Sequence, residues 1–252
     1  MKEYYSNTFF QNQMHNSELS ASEVVPHVLK LVDVKSVIDV GCGIGTWLSV
    51  FQKNGVTDIQ GIDGEWVDKK MLMIPTERFL NRDLTKPIQL GKKFDLVISL
   101  EVAEHLNKEF ADTFIASLTS LGPIILFSAA IPMQGGQHHV NEQWPEYWAT
   151  LFEKYDYALV DCVRKKVWNN PNVGCWYAQN IFLFVKQDVL NKNEKLLKEY
   201  NNNSLMLSIV HPRLFLEAME KHNELRKNYN FVKKLLFPVW WLGKLVKRPF
   251  VK

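Results

Sequence analysis

The chain has 252 residues, 46% of them apolar and 23% charged, with a formal net charge of +3; this suits one large α/β domain with additions, or two small ones, and is too weakly basic to indicate a nucleic-acid binder. Its three cysteines, Cys42, Cys162 and Cys175, lie far apart with no CxxC pair, which argues against a disulfide framework or zinc ribbon and fits a reducing compartment. The N-terminal MKEYYSNTFFQNQ has no apolar core of a signal peptide, and no apolar run approaches membrane-spanning length, so a cytoplasmic location is expected.

Residues 1–20 are polar and aromatic without clear periodicity and read as an arm. Glu23 to Leu31 has helical spacing, with Val24, Val28 and Leu31 on one face and Pro26 in the expected first turn. Ser36–Val40 (SVIDV) is a β-branched strand ending at Gly41, and Thr46 to Lys53 reads as a helix. Asp58–Ile62 is a second strand, followed by Asp63; Arg78–Leu80 is a weak third. Phe94–Leu100 is a strong strand, Lys108–Leu121 a helix and Ile124–Ser128 a further buried strand. Nearly all-apolar strands alternating with helices predict a parallel sheet covered on both faces. Tyr157–Val163 and Asn180–Val185 are joined by KKVWNNPNVGCWYAQ, read as a loop, which predicts an antiparallel hairpin at the sheet edge. QDVLNKNEKLLKEYNNNS reads as a linker with some helix, and Pro212–Lys227 as a surface helix. The expected organisation is an N-terminal arm and helix (1–34), an α/β domain (35–187) and a C-terminal helical extension with a basic aromatic tail (188–252).

VIDVGCGIGTW carries the most chemistry. Gly41, Gly43 and Gly45 allow positive φ and close approach of a ligand to the backbone, at the carboxyl end of a strand where open α/β sheets bind ligands. A dinucleotide fingerprint would read G-x-G-x-x-G, but its third position here is Thr46, and Asp39 precedes the turn. An acid suits a cationic ligand better than a pyrophosphate, which favours S-adenosylmethionine over NAD. Asp63 follows Asp39 by about two dozen residues, near the ~20 expected for a carboxylate that accepts both ribose hydroxyls. Asp83, in NRDLTKP, follows the third strand and suits the adenine amine.

VIDVGCGIGTW, GIDGEWV, NRDLTKP and FDLVISLEVAEHL, in this order and spacing, resemble the class I S-adenosylmethionine-dependent methyltransferases over about residues 35–186. The resemblance implies a doubly wound, Rossmann-like seven-stranded sheet with an antiparallel last strand. It implies that Gly41, Gly43 and Gly45 cradle the methionine part. Asp63 would then hold the ribose, Asp83 and Leu84 the adenine, and Leu100 and Glu101 the sulfonium side. Glu104 and His105 match the family's E-H pair after the fourth strand, His105 being read as a packing residue at a helix start.

IILFSAAIPMQGGQHHVNEQWPEYW begins in the fifth strand, so His138 and His139 follow its carboxyl end, close to where a methyl acceptor must sit. An alcohol acceptor must lose a proton and a neutral imidazole suits that task, with His139 or His138 as base and Glu142 orienting the ring. Trp144, Tyr147 and Trp148 offer flat faces for a sugar or an aromatic acceptor; the bland alternative is a lid packed on the sheet. A metal site needs a third ligand that the sequence does not place, and adjacent side chains diverge, so no metal is expected. This segment, Trp176–Val185 and Val210–Pro212 are similar to methyltransferases of bacterial surface-polysaccharide and glycolipid biosynthesis, which implies O-methylation of a sugar or glycan.

Neither an Asn/Asp-Pro-Pro-aromatic motif nor a Pro-Cys nucleophile is present, and the core carries no basic stripe, so no nucleic-acid substrate is expected. A quinone, lipid or RNA acceptor, a non-catalytic cofactor-binding scaffold and, more distantly, a dehydrogenase are the other readings. The tail combines Trp240, Trp241, Leu242 and Phe250 with Lys244, Lys247, Arg248 and Lys252, a mixture suited to docking on the domain or a partner, or to peripheral membrane contact; Pro238 and Pro249 are expected to break any long helix there.

Overall fold

The computed structural model describes residues 7–203 and 206–246, with side chains over 16–203 and 206–233. The chain divides into two compact units, Met1–His211 and Pro212–Lys252.

The first unit opens with helix α1 (Asn7–Leu31), which extends well into the stretch expected to be an arm and places Pro26 in its interior. A proline there removes one backbone hydrogen bond and costs ~3 kcal/mol. Val24, Val25 and Val28 are fully buried, and at about 1.5 kcal/mol or more each their burial exceeds that cost. Strand β1 (Ser36–Val40), helix α2 (Thr46–Lys53) and strand β2 (Asp58–Asp63) follow, then β3 (Phe79–Asn81), β4 (Leu96–Leu100), α3 (Ala111–Leu121) and β5 (Ile124–Ser128). Next come α4 (Pro145–Glu153), β6 (Tyr157–Val160), α5 (Arg164–Val167), α6 (Cys175–Asn180) and β7 (Phe182–Lys186). Helices α7 (Gln187–Leu190) and α8 (Glu194–Asn201) complete the unit.

The seven strands form one sheet in the order β3-β2-β1-β4-β5-β7-β6. Pairings from β3 through β5 are parallel, and β7 runs antiparallel to both β5 and β6. The sheet is the expected Rossmann-like one, and β7 lies inside its edge while β6 is outermost. The β6–β7 connection differs from the expected loop because it contains α5 and α6. At 4 and 6 residues these helices are too short to print a helical period on the sequence.

Side chains alternate across the sheet. Val37, Leu96 and Ile98 pack with α1 and α2 residues such as Val28, Leu48 and Phe51. Ile38, Val97 and Ile125 pack on the other face with Phe114, Leu118, Trp148 and Phe152 of α3 and α4. Arg164 and Asp161 form a buried pair at 2.6 and 3.0 Å, and Arg164 also donates to the Leu207 carbonyl at 2.9 Å. This anchors α5 and the segment after α8 to the sheet.

The second unit contains helix α9 (Pro212–Val246), 35 residues long and, apart from half-buried Leu214, exposed over its described side chains. It runs past the expected end at Lys227 and through Pro238, so that proline does not break it. The tail side chains proposed for docking or membrane contact, with Pro249, lie outside the described residues. Among the described residues no helix is long and apolar enough to cross a membrane.

The chain leaves β1 toward β2 on one side and returns to β4 on the other. That reversal opens a crevice at the carboxyl ends of β1 and β4.

Candidate active site

The turn after β1 holds Gly41, Gly43 and Gly45 at φ 88°, 53° and 84°, a region that favours glycine. A Cβ on Gly41 would lie 2.3 Å from the Val102 side chain, and one on Gly45 2.9 Å from Ile74. A Cβ on Gly43 would meet nothing within 4 Å. The outer two glycines are therefore held by packing, while the middle one faces open space.

Asp63 ends β2 and is only 5% exposed. Its carboxylate accepts from the Gly43 and Gly64 N–H groups, each at 2.6 Å. Burial nevertheless pushes its pKa up to about 6, the two hydrogen bonds opposing the shift. Asp39, buried in β1, is held well above the usual carboxylate range by burial and then by the Asp63 charge. Asp83 is exposed and accepts from the Thr85 hydroxyl at 2.6 Å and the Thr85 N–H at 3.0 Å, bonds that hold its pKa down.

Two cavities meet at the turn. One, of about 290 Å³, lies between Asp63, Trp66, Asp83 and Leu84 and, opposite, Val102, His105 and His138. The other, of about 120 Å³, is lined by Asp39, Trp47, Leu100, Tyr177 and Ser17. Gly41, Gly43 and Glu101 border both. Gly45 borders neither and shapes the turn from behind. A larger hollow of about 810 Å³ lies by α4, β6 and α8, and gathers none of Asp39, Asp63, Asp83 and Glu101.

Glu101 follows β4 at φ 55°, an uncommon conformation for a residue with a Cβ. Its carboxylate accepts from Gln134 Nε2 at 3.0 Å and Asn180 Nδ2 at 3.3 Å. Its backbone N–H donates to Ser128 Oγ at 3.1 Å. Three elements thus converge on one side chain: the end of β4, the loop after β5 and the end of α6. Burial raises its pKa, and its hydrogen bonds oppose the shift.

The loop after β5 is organised by Glu142. This carboxylate accepts from the Met133 and Gly135 N–H groups, both at 2.8 Å, and lies 2.9 Å from His139 Nδ1. Met133 and His138 take φ 69° and 58°. The adjacent histidines diverge. His138 faces the larger cavity, whereas the His139 ring stands edge-on to His105 with centroids 4.9 Å apart. Beneath them Glu104 is fully buried, and neither carboxylate oxygen has a hydrogen-bond partner. Burial, then the Glu101 charge, holds its pKa well above the ordinary value. Glu104, His105 and His139 each present a donor atom within 4.8 Å of the others. The sequence places no third metal ligand; the fold supplies two, from a segment 34 positions upstream of His139, and only one of the adjacent histidines joins them.

Trp148 is 2% exposed and belongs to the core beneath α4, against Phe127. Trp144 is 40% exposed, and Tyr147 packs on Trp148 with Lys108 over its ring. Neither Trp144 nor Tyr147 lines a cavity at the glycine turn. Trp66, Trp47, Tyr177 and Ser17 also line these cavities, beyond the residues expected from the sequence. Trp66 follows closely on Asp63 and could have been found from that spacing. Ser17 and Tyr177 lie 160 positions apart, and their hydroxyls are 3.3 Å from each other only in the fold.

Residues 13–161 match a family model described as a methyltransferase domain. A search of curated proteins gave no match. Among solved structures the chain is similar in fold to the magnesium protoporphyrin IX methyltransferase of Synechocystis PCC 6803, solved with S-adenosylhomocysteine. That match has a TM-score of 0.54 and 18% identity, covering 73% of this chain and 97% of that one. DesVI of Streptomyces venezuelae aligns with a TM-score of 0.52 and 15% identity, over 71% and 95% of the two chains. An amino pentose methyltransferase from Micromonospora echinaspora, solved with S-adenosylmethionine, aligns with a TM-score of 0.51 and 14% identity, over 72% and 98%.

Proposed function

The chain belongs to the methyltransferase-domain family, and from that premise we propose that it is an S-adenosylmethionine-dependent methyltransferase that O-methylates a hydroxyl of a sugar or glycan. The observation that carries this reading is the pair of cavities sharing Gly41, Gly43 and Glu101, with buried acids on either side of the turn.

The residues fit the cofactor. The open face of Gly43 leaves room for a ligand against the backbone. The smaller cavity, with Asp39 in its wall, suits the methionine part and its cationic amino group. The larger suits the nucleoside: Asp63 would accept the ribose hydroxyls, while Asp83 and Leu84 border the adenine. Leu100 and Glu101 fall between, on the sulfonium side. When bound, S-adenosylmethionine supplies a methyl group on a cationic sulfur that departs as a neutral thioether, so no acid is required.

The acceptor hydroxyl must be deprotonated. The imidazole–carboxylate pair His139–Glu142 supports a hydroxyl acceptor, with His139 or, across the larger cavity, His138 as the candidate base. An extended glycan would reach Trp144 and Tyr147 at the start of α4. The same reading places the reaction in the cytoplasm, with the basic aromatic tail at a membrane surface where a lipid-linked acceptor is presented.

Calorimetric titration with S-adenosylmethionine and, separately, NAD tests the cofactor. Binding of the first alone, lost in Asp63→Ala, is expected; binding of neither by folded protein would overturn the cofactor site, and binding without turnover on any acceptor fraction would favour the scaffold. Labelled cofactor offered with sugar, lipid, quinone and RNA fractions then tests the acceptor. Label entering only a non-sugar fraction would overturn the glycan assignment.

A further inference from the structure

We propose that Glu104, His105 and His139 form a binding site for a divalent transition-metal ion, with one carboxylate and two imidazoles as its protein ligands.

Four observations converge on this corner. First, the three donor atoms lie within 4.8 Å of one another. Donors bound at about 2 Å to a common ion are at most ~4 Å apart, so small side-chain rotations close the set. Second, Glu104 is fully buried with both oxygens unpartnered. Native proteins rarely leave a buried polar group in that state, and a cation would supply the missing partner.

Third, the His139 ring is already oriented as a ligand. Glu142 takes its Nδ1 side at 2.9 Å, which fixes the tautomer and leaves the Nε2 lone pair free, the arrangement in which a carboxylate steadies a metal-binding histidine. Glu142 is itself held by two backbone N–H groups. The ring also lies over Gly136, where a Cβ would sit 2.2 Å from Nε2. Fourth, His105 borders the larger cavity on its Val102–His138 side, so positions left open by three protein ligands face space beside the place proposed for the nucleoside rather than solid protein.

The donor set selects the ion. Two imidazoles and one carboxylate suit Zn²⁺, Mn²⁺, Fe²⁺ or Co²⁺ better than Mg²⁺ or Ca²⁺, which prefer all-oxygen sites. The ion's role, though not its binding, rests on the proposed methyl transfer. An acceptor hydroxyl coordinated there becomes more acidic. It loses its proton to water, and its oxygen forms the bond to the methyl carbon as the carbon–sulfur bond breaks. The electron pair of that bond stays on sulfur, and the ion keeps its charge. His139 then contributes as a ligand, with Glu142 as a positioning residue.

The test uses the full chain without a histidine tag, stripped by chelator and titrated calorimetrically with Zn²⁺, Mn²⁺ and Mg²⁺ separately. One ion per chain is expected for Zn²⁺ and Mn²⁺, with Mg²⁺ binding more weakly. Glu104→Gln, His105→Ala and His139→Ala should each weaken binding at least tenfold, and Glu142→Ala by about 10–100-fold. His27→Ala, remote from the corner, should leave it unchanged. Thermal unfolding of the ion-free variants checks the fold; if Glu104→Gln fails to fold, the exposed His105→Ala carries the test. Absence of ion binding in the wild type, binding unaltered in the folded corner variants, or preference for Mg²⁺ would overturn the site. A parallel titration with S-adenosylmethionine separates the two proposals: a chain that binds the ion but not the cofactor keeps the site and loses the methyltransferase reading.

Discussion

Asp63 accepts the Gly43 N–H at 2.6 Å, so the acid ending β2 holds the middle of the turn that follows β1. The same carboxylate lines the larger cavity, and the geometry of the turn and the charge of the cavity therefore depend on one side chain. Asp63→Asn removes the charge with little change of volume, and its amide nitrogen, which cannot accept, gives up one of the two backbone hydrogen bonds. The substitution should weaken S-adenosylmethionine binding by at least tenfold in calorimetry with little change in far-ultraviolet circular dichroism.

The raised pKa of Asp63, about 6 against 3.8 for an unperturbed carboxyl, sets two opposite pH dependences. The native state holds the proton more tightly than the unfolded chain, so this group's contribution to stability is full below about pH 4. It is lost as pH rises to about 6, by roughly 3 kcal/mol at most. Asp39, shifted the same way, adds to this slope. If Asp63 accepts the ribose hydroxyls as proposed, cofactor binding uses its ionised form and should strengthen over the same interval. Asp63→Asn should flatten both profiles, as read by chemical denaturation and by calorimetry from pH 4.5 to 8.

Gly41 and Gly43 separate packing from ligand contact. Gly41→Ala forces a methyl to 2.3 Å from Val102 at positive φ, and a melting-temperature loss of several degrees is expected, from about 1–3 kcal/mol of overpacking. Gly43→Ala meets no protein atom and should cost less stability, while the new methyl enters the cavity and lowers cofactor affinity by at least tenfold.

Glu142 accepts from the Met133 and Gly135 N–H groups and lies 2.9 Å from His139 Nδ1. Glu142→Ala should lower kcat by about 10–100-fold and leave the dissociation constant for S-adenosylmethionine within about twofold, because Glu142 borders neither cavity. A parallel loss of cofactor affinity would show that the whole loop had collapsed.

The Asp161–Arg164 pair is about 3% exposed on both sides. Removing one partner strands a buried charge at a cost of about 3–5 kcal/mol. Arg164→Met should therefore lower the denaturation midpoint far more than Lys154→Met, which breaks only the exposed pair with Asp112.

The sheet was legible in the sequence because each central strand is a short apolar run closed by glycine, acid or serine. The span Thr46–Lys53 was read to the residue, since the glycine turn marks its start. Helix α1 was read too short because its first turns carry no apolar period, and α5 and α6 vanished into a stretch rich in Asn, Pro and Gly. The acids Asp39, Asp63 and Asp83 could be located because each is tied to a strand end. The Glu104–His105–His139 corner could not. It exists because β4 and β5 pair in parallel with Leu100 opposite Ser128, which brings the segments following both strands to the same edge. Register between strands is a property of the folded sheet, and no local pattern announces it.

The placement of β7 between β5 and β6 also dictates a schedule. During synthesis β5 is complete at Ser128 and β6 at Val160, yet these strands cannot be joined until Phe182–Lys186 emerges. Until then β5 presents an open edge of the kind that invites mispairing. The smaller cavity lacks Tyr177 as well, and Glu101 lacks Asn180. A nascent chain halted near residue 161, where the family match ends, would carry the glycine turn and every acid around it without a finished site. On the proposed reading, competence for the cofactor thus arrives late, with α6 and the closing strand that follows it.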